Sequence, residues 1–205
     1  LVRSRGLGDV YKRQALGSEP HIKNYSHGIF QSLYDYPYLS SSANHILDIT
    51  VGYCDHSPLS GAGSVQNAKK INIYNQMAQV LNGYDVTGGI RHFDKDGDLT
   101  GGTKLQEWSF INFSRLLHKD EIKKGSFSIG MYSASLNTTP KKLKTLYDTN
   151  AANDYRVNSP AGEYAILYTA STWTAAMQGS GQGLLYYQAA VSYTHLRAHE
   201  TVLDL

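Results

Sequence analysis

The sequence predicts a β-rich α+β fold, an antiparallel sheet or sandwich with one principal helix at about residues 65–83. Three observations predict it. HILDITVGY (His45 to Tyr53) alternates, with Leu47, Ile49, Val51 and Tyr53 on one face of an extended chain. EYAILYT (Glu163 to Thr169) and GLLYYQA (Gly183 to Ala189) are apolar on both faces, the pattern of central strands covered on two sides. Only VQNAKKINIYNQMAQVLNG (Val65 to Gly83) carries a sustained helical period.

In chain order, HILDITVGY is the first clear strand. In the helix, Ile71, Tyr74, Ala78 and Leu81 recur at three- and four-residue spacing, with Met77 and Val80 beside them. Ser64 or Asn67 is the expected start cap, and Gly83 the left-handed C-terminal residue. Lys69, Lys70, Asn72 and Asn75 make the expected polar face. EWSFINF (Glu107 to Phe113) reads as an aromatic strand, with a helix as the alternative. SFSIGMY (Ser126 to Tyr132) alternates through Phe127, Ile129 and Met131. A short helical turn is expected in RLLHKDEIKKG, ended by Gly125. The connections SPLSGAGS, DKDGDLTGG, ASLNTTP, NSPAGE and MQGSGQG are rich in turn residues.

Two hundred and five residues suffice for one domain with a sizeable core. Cys54 is the only cysteine, which excludes an intrachain disulfide framework. No apolar run approaches the roughly 20 residues of a spanning helix, so no membrane partner is expected. Between residues 15 and 190, 14 basic side chains balance 14 acidic ones. A neutral body of that kind has no global attraction for nucleic acid.

The ends differ from the middle. LVRSRGLGDVYKRQ at the start and VSYTHLRAHETVLDL at the finish resemble translated sequencing-adapter DNA, which recurs at the ends of proteins predicted from metagenomic assemblies. The resemblance divides the chain into residues 1–14 and 191–205, outside the fold, and one structural domain at 15–190. His195, His199 and Glu200 have zinc-like spacing, but the Glu follows the second His rather than standing between the two, and no metal site is expected there.

FDKDGDLTGG (Phe93 to Gly102) alternates Asp94, Asp96 and Asp98 in the manner of a calcium loop. Counting from Asp94, the sixth position is Leu99 where a hand-type loop needs Gly, and the twelfth is Leu105 where it needs Glu. The expectation is therefore an acidic hairpin tip centred on Asp96-Gly97, with no metal and no cofactor. Gly102-Thr103-Lys104 has the wrong order for a phosphate loop, and SGAGS reads as a loop entering the helix. Cys54-Asp55-His56 places a thiol beside a base, without an assignable orienting group. His21, His27, His45, His92 and His118 are scattered, and KKLK (Lys141 to Lys144) reads as a solvated face. No catalytic residue is expected, and the chain reads as a non-enzyme.

Sixteen tyrosines stand against five phenylalanines and two tryptophans. Tyr34, Tyr36 and Tyr38 lie together in SLYDYPYLSSS and are the expected interface residues, since a rigid ring with a polar tip suits a wet contact.

SLYDYPYLSSSANHILDITVGY, KKINIYNQMAQVL, FINFSRLLHKDEIKKGSFSI, VNSPAGEYAILY and GLLYYQA, across most of residues 30–190, resemble an uncharacterised group of virion structural proteins of marine contractile-tailed (myovirus-like) phages. The resemblance implies a tail, neck or capsid component. It would form homo-oligomers and contacts with other virion proteins, and be assembled in a host bacterial cytoplasm. It carries no catalytic residue over. The alternative is a tail-associated receptor- or carbohydrate-binding module, in a Ca²⁺-dependent form if Asp94, Asp96 and Asp98 bind the ion.

Overall fold

A computed structural model describes residues 20–61, 65–99, 101–117, 120–132, 143–194 and 202–204. Among them, ten strands form two antiparallel sheets. The larger contains β1 (Ile22–Asn24), β2 (Gln31–Tyr34), β3 (His45–Tyr53), β4 (Glu107–Asn112), β9 (Val191–Thr194), β8 (Gly183–Tyr186) and β7 (Tyr164–Leu167), in that spatial order. The smaller has the order β10 (Val202–Asp204), β5 (Ser128–Tyr132), β6 (Leu143–Tyr147). The one α-helix of the described residues, α1, spans Val65–Leu81. The fold is β-rich α+β with one helix, as the sequence predicts.

The two sheets and the helix make three layers, and the parity of each strand shows why. In β4, Trp108 and Phe110 join the buried set around α1, while Ile111 joins the set facing the small sheet. In β7, Tyr164 and Ile166 face the helix side, and Ala165 and Leu167 the opposite side. In β8, Leu184 and Tyr186 likewise oppose Leu185. The large sheet is thus the middle layer, and a middle layer needs apolar residues on both faces. The small sheet is an outer layer. Its Ile129, Met131 and Leu146 are buried inward, whereas Ser128 and Lys144 are exposed.

The strand expected in EWSFINF is present as β4, not the helical alternative. EYAILYT is buried on both faces, but β7 ends the sheet rather than lying centrally. Its outer edge is covered by bridges from Arg156 to Tyr164 and from Tyr147 to Tyr168, which occupy backbone groups that a bare edge would expose. The short helical turn is a single 3₁₀ turn at Ser114–Leu116, and Gly125 takes φ +75°.

Helix α1 ends as predicted. Gly83, at φ +77°, donates its N–H toward the carbonyls of Ala78 and Gln79, both at 3.1 Å. Asn67 lies inside the helix and does not cap it. Its side chain accepts from Tyr53 Oη at 2.7 Å and donates to the Ser60 carbonyl at 2.8 Å. The polar face needs a larger correction. Lys70 is 1 % exposed and heads the buried stripe Lys70, Tyr74, Ala78, Leu81. Its stem packs inward and its Nζ donates to the Ile29 carbonyl at 2.9 Å. Val80, expected beside the core, is exposed. Close contact of α1 with the sheet depends on Gly52 in β3, where a Cβ would stand 2.8 Å from the Tyr74 backbone nitrogen.

The expected domain boundary at residue 190 also needs correction. Val191–Thr194 forms β9, which pairs with β4 on one side and β8 on the other. All four residues are buried, so the folded unit extends through Thr194. Backbone of β10 pairs with β5. Residues 1–14, Ser64, SGAGS beyond Gly61, His118, Lys141, Lys142, His195, His199 and Glu200 lie outside the described residues.

Candidate functional site

The segment from Phe93 to Leu105 leaves and rejoins the body as an antiparallel pair. Leu105 N–H donates to the Phe93 carbonyl at 2.9 Å, Asp94 bridges to Lys104, and Lys95 N–H donates to the Thr103 carbonyl at 3.0 Å. That register is symmetric about Leu99, so the turn is not centred on Asp96-Gly97 as the sequence predicts. Nor is it a solvated tip. Asp94, Gly97 and Leu99 are buried, and Asp96 and Asp98 are half-buried.

Three anchors pull the loop inward. Phe93, wholly buried, sits among Tyr74, Trp108, Phe110 and Tyr193, with ring centroids 4.4–5.6 Å away. Gly97 presses on the sheet, where a Cβ would lie 2.5 Å from Leu184 Cδ2. Tyr164 Oη donates to the Gly97 carbonyl at 3.1 Å, and Asn158 Nδ2 to the Asp98 carbonyl at 3.0 Å. The inward fold requires left-handed backbone at Gly97 (φ +73°), Leu99 (+63°), Gly101 (+65°) and Gly102 (+66°). Leu99 is the costly member, because a side chain disfavours that region and its burial must hold it there.

This geometry gathers the three aspartates. One carboxylate oxygen from each of Asp94, Asp96 and Asp98 lies within 4.8 Å of the others. Lys104 Nζ pairs with Asp94 Oδ1. Asp94 Oδ2 and Asp96 Oδ1 are cut off from solvent without a hydrogen-bond partner. Burial pushes the Asp94 carboxyl above its ordinary range; the Lys104 contact opposes this, and Asp96 and Asp98 add to it. The alternation was legible in the sequence. The Lys104 partner was not, since it follows only from the hairpin register.

The expected interface residues divide. A register shift in the β2–β3 pairing between Leu33 and Tyr34 turns Tyr34 onto His45, with ring centroids 5.2 Å apart. Tyr34 is half-buried, whereas Tyr36 and Tyr38 are exposed beside an almost fully exposed Leu39. Their loop is well tied. Asp35 Oδ1 accepts the N–H groups of Tyr36 and Asn44 at 2.8 and 2.7 Å, Asp35 Oδ2 accepts from Asn44 Nδ2, and Tyr38 N–H donates to the Pro20 carbonyl.

Cys54 is buried at the end of β3, and burial pushes its thiol pKa up. Asp55 and His56 are exposed and pair with each other at 2.6 Å. A protonated, buried thiol is a poor nucleophile. Cys54 in the folded protein is therefore expected to react with an aromatic disulfide reagent at least about 100-fold more slowly than in denaturant; equal rates would show that the site opens.

Two features had no sequence signal. Asp148 is buried and accepts from the N–H groups of Gly125 and Phe127 and from Tyr187 Oη, fixing the end of β6 to the segment that leads into β5. A cavity of about 310 Å³ lies between α1 and the sheet, lined by Phe30, Ile73, Met77, Phe110 and Val191 among others. Of the scattered histidines, His45 Nε2 contacts Asp48 at 2.7 Å and His92 Nδ1 lies 3.4 Å from Tyr74 Oη. The described residues contain no helix long and apolar enough to cross a membrane. The chain has no significant match among known protein families, curated proteins or solved structures.

Proposed function

We propose that this chain is a virion structural protein of a contractile-tailed phage, acting through protein–protein interfaces in a tail, neck or capsid. The resemblance over residues 30–190 motivates the source. The observation that carries the interface reading is the pre-ordered loop presenting Tyr36, Tyr38 and Leu39 to solvent. Ordering these rings in advance lowers the entropy lost when a partner covers them. A second copy of the chain or another virion protein supplies that partner, in a symmetric assembly.

Mass measurement during size-exclusion chromatography tests the reading. The wild-type chain is expected to self-associate at micromolar concentration or to co-elute with particle proteins, and Tyr36→Ser with Tyr38→Ser to abolish it. A strictly monomeric chain that is also absent from purified particles overturns the proposal.

The aspartate cluster favours a second reading, a receptor- or carbohydrate-binding module whose loop is organised by Ca²⁺. Retention on immobilised glycans, lost on chelation, would select that reading over assembly.

A further inference from the structure

We propose that Asp94, Asp96 and Asp98 form a Ca²⁺ site, contrary to the expectation from loop register. The site is independent of the assembly reading, since a particle protein works with or without an ion.

One carboxylate oxygen from each aspartate lies within 4.8 Å of the others, a spacing that a single ion with Ca²⁺–oxygen bonds of about 2.3–2.6 Å reaches with at most small side-chain shifts. A sphere centred among them can touch an oxygen from each. Mg²⁺, which demands near-ideal octahedral geometry at about 2.0–2.1 Å and dehydrates reluctantly, suits a cluster of protein carboxylates less well. The charge also matches. Three aspartates outnumber the one lysine paired with Asp94, a balance that favours a cation.

Clustered acids alone would not make a site, because exposed carboxylates solvate one another. Here the Asp94 side chain is fully buried, and its Oδ2 has no donor. Asp96 Oδ1 is in the same condition. Buried carboxylate oxygens ordinarily find a donor or a metal. Two such oxygens in one cluster of three aspartates mark the position of a ligand that accepts lone pairs.

The objection at position six is answered by conformation. A hand-type loop needs glycine there for a sharp turn, and Leu99 takes φ +63° in its place. The objection at position twelve stands, because Leu105 contributes no carboxylate and the nearby Glu107 accepts from Ser57 Oγ at 2.8 Å. Water must then complete the shell. That places the affinity at the weak end for calcium loops, with Kd of roughly 10⁻⁴–10⁻³ M.

The experiment uses the full chain, stripped with chelator and titrated with CaCl₂ by calorimetry, with thermal melts alongside. One Ca²⁺ per chain is expected, with Tm raised by at least about 3 °C at a Ca²⁺ concentration of roughly ten times Kd or more. Mg²⁺ should bind at least about tenfold more weakly. Asp98→Asn, at a half-buried position, should weaken Ca²⁺ binding at least about tenfold while keeping the circular dichroism of the wild type. A flat titration with an unchanged melt overturns the proposal. So does Ca²⁺ binding that Asp98→Asn leaves intact, or Mg²⁺ binding of equal strength. If Asp98→Asn does not fold, the wild-type titration and melt decide alone.

Discussion

A chain ending at Ala190 is expected not to fold, whereas one ending at Thr194 retains every strand of the large sheet. The difference is four residues, Val191–Thr194, and they form β9 between β4 and β8. Without β9 the sheet is cut in two, and the backbone groups of both neighbours lose their partners in the interior. Tyr193 is wholly buried against Phe93, Trp108 and Phe110. Truncating an aromatic ring of that kind costs about 3–5 kcal/mol by itself, much of a typical domain's whole stability of about 5–15 kcal/mol. Circular dichroism and urea titration of the two chains check this. A cooperative transition in the chain ending at Ala190 would refute the central role of β9.

The stability of the wild type relative to Lys70→Met is expected to rise as pH increases from about 8 to 10. Burial lowers the Lys70 pKa from 10.5 to about 8. In the window between those values the unfolded chain holds a proton that the folded chain has released. The Lys70 contribution to stability therefore increases with pH across the window and is reduced below it. The full change is about 3 kcal/mol, from 1.36 kcal/mol per pKa unit. Buried tyrosines set the upper limit. Burial raises the pKa values of Tyr164, Tyr186 and Tyr193, so from about pH 9 upward the unfolded chain ionises first and the fold of both proteins is weakened. Lys70→Met keeps the apolar stem and leaves the Ile29 carbonyl a donor in Thr50 Oγ1 at 2.5 Å. The variant should match or exceed wild-type stability at pH 7 and lose that advantage toward pH 10. Parallel urea midpoints for the two proteins from pH 7 to 10 would show that burial does not lower the Lys70 pKa.

Much of the fold is legible from periodicity because burial on one or two faces leaves a regular trace. Leu47 in β3, Ile129 and Met131 in β5, and the double-sided runs of β7 and β8 all fall where alternation places them. The Gly83 terminus is equally local, since a left-handed residue after an apolar helix has few other uses. Lys70 misleads because a long aliphatic stem can occupy a core position from which its charge alone would exclude it. VSYT misleads because its resemblance to adapter sequence removes it from the fold, although its residues pair on both sides.

At the candidate site, the aspartate alternation was readable and its meaning was not. Register counting treats glycine as the only residue able to turn at position six, yet Leu99 makes that turn because the surrounding core buries its side chain. The loop's depth depends on Phe93 and Gly97 meeting residues from β4, β7, β8 and β9, distant in sequence. By itself, then, the sequence determined the helix and its end, the strands with clear alternation or two-faced apolar runs, and the spacing of acids at alternate positions, because these depend on near neighbours. Tertiary structure alone decided which acids are buried, which lysine is buried and which strand completes the sheet. Solvation and strand pairing depend on residues brought together from across the chain.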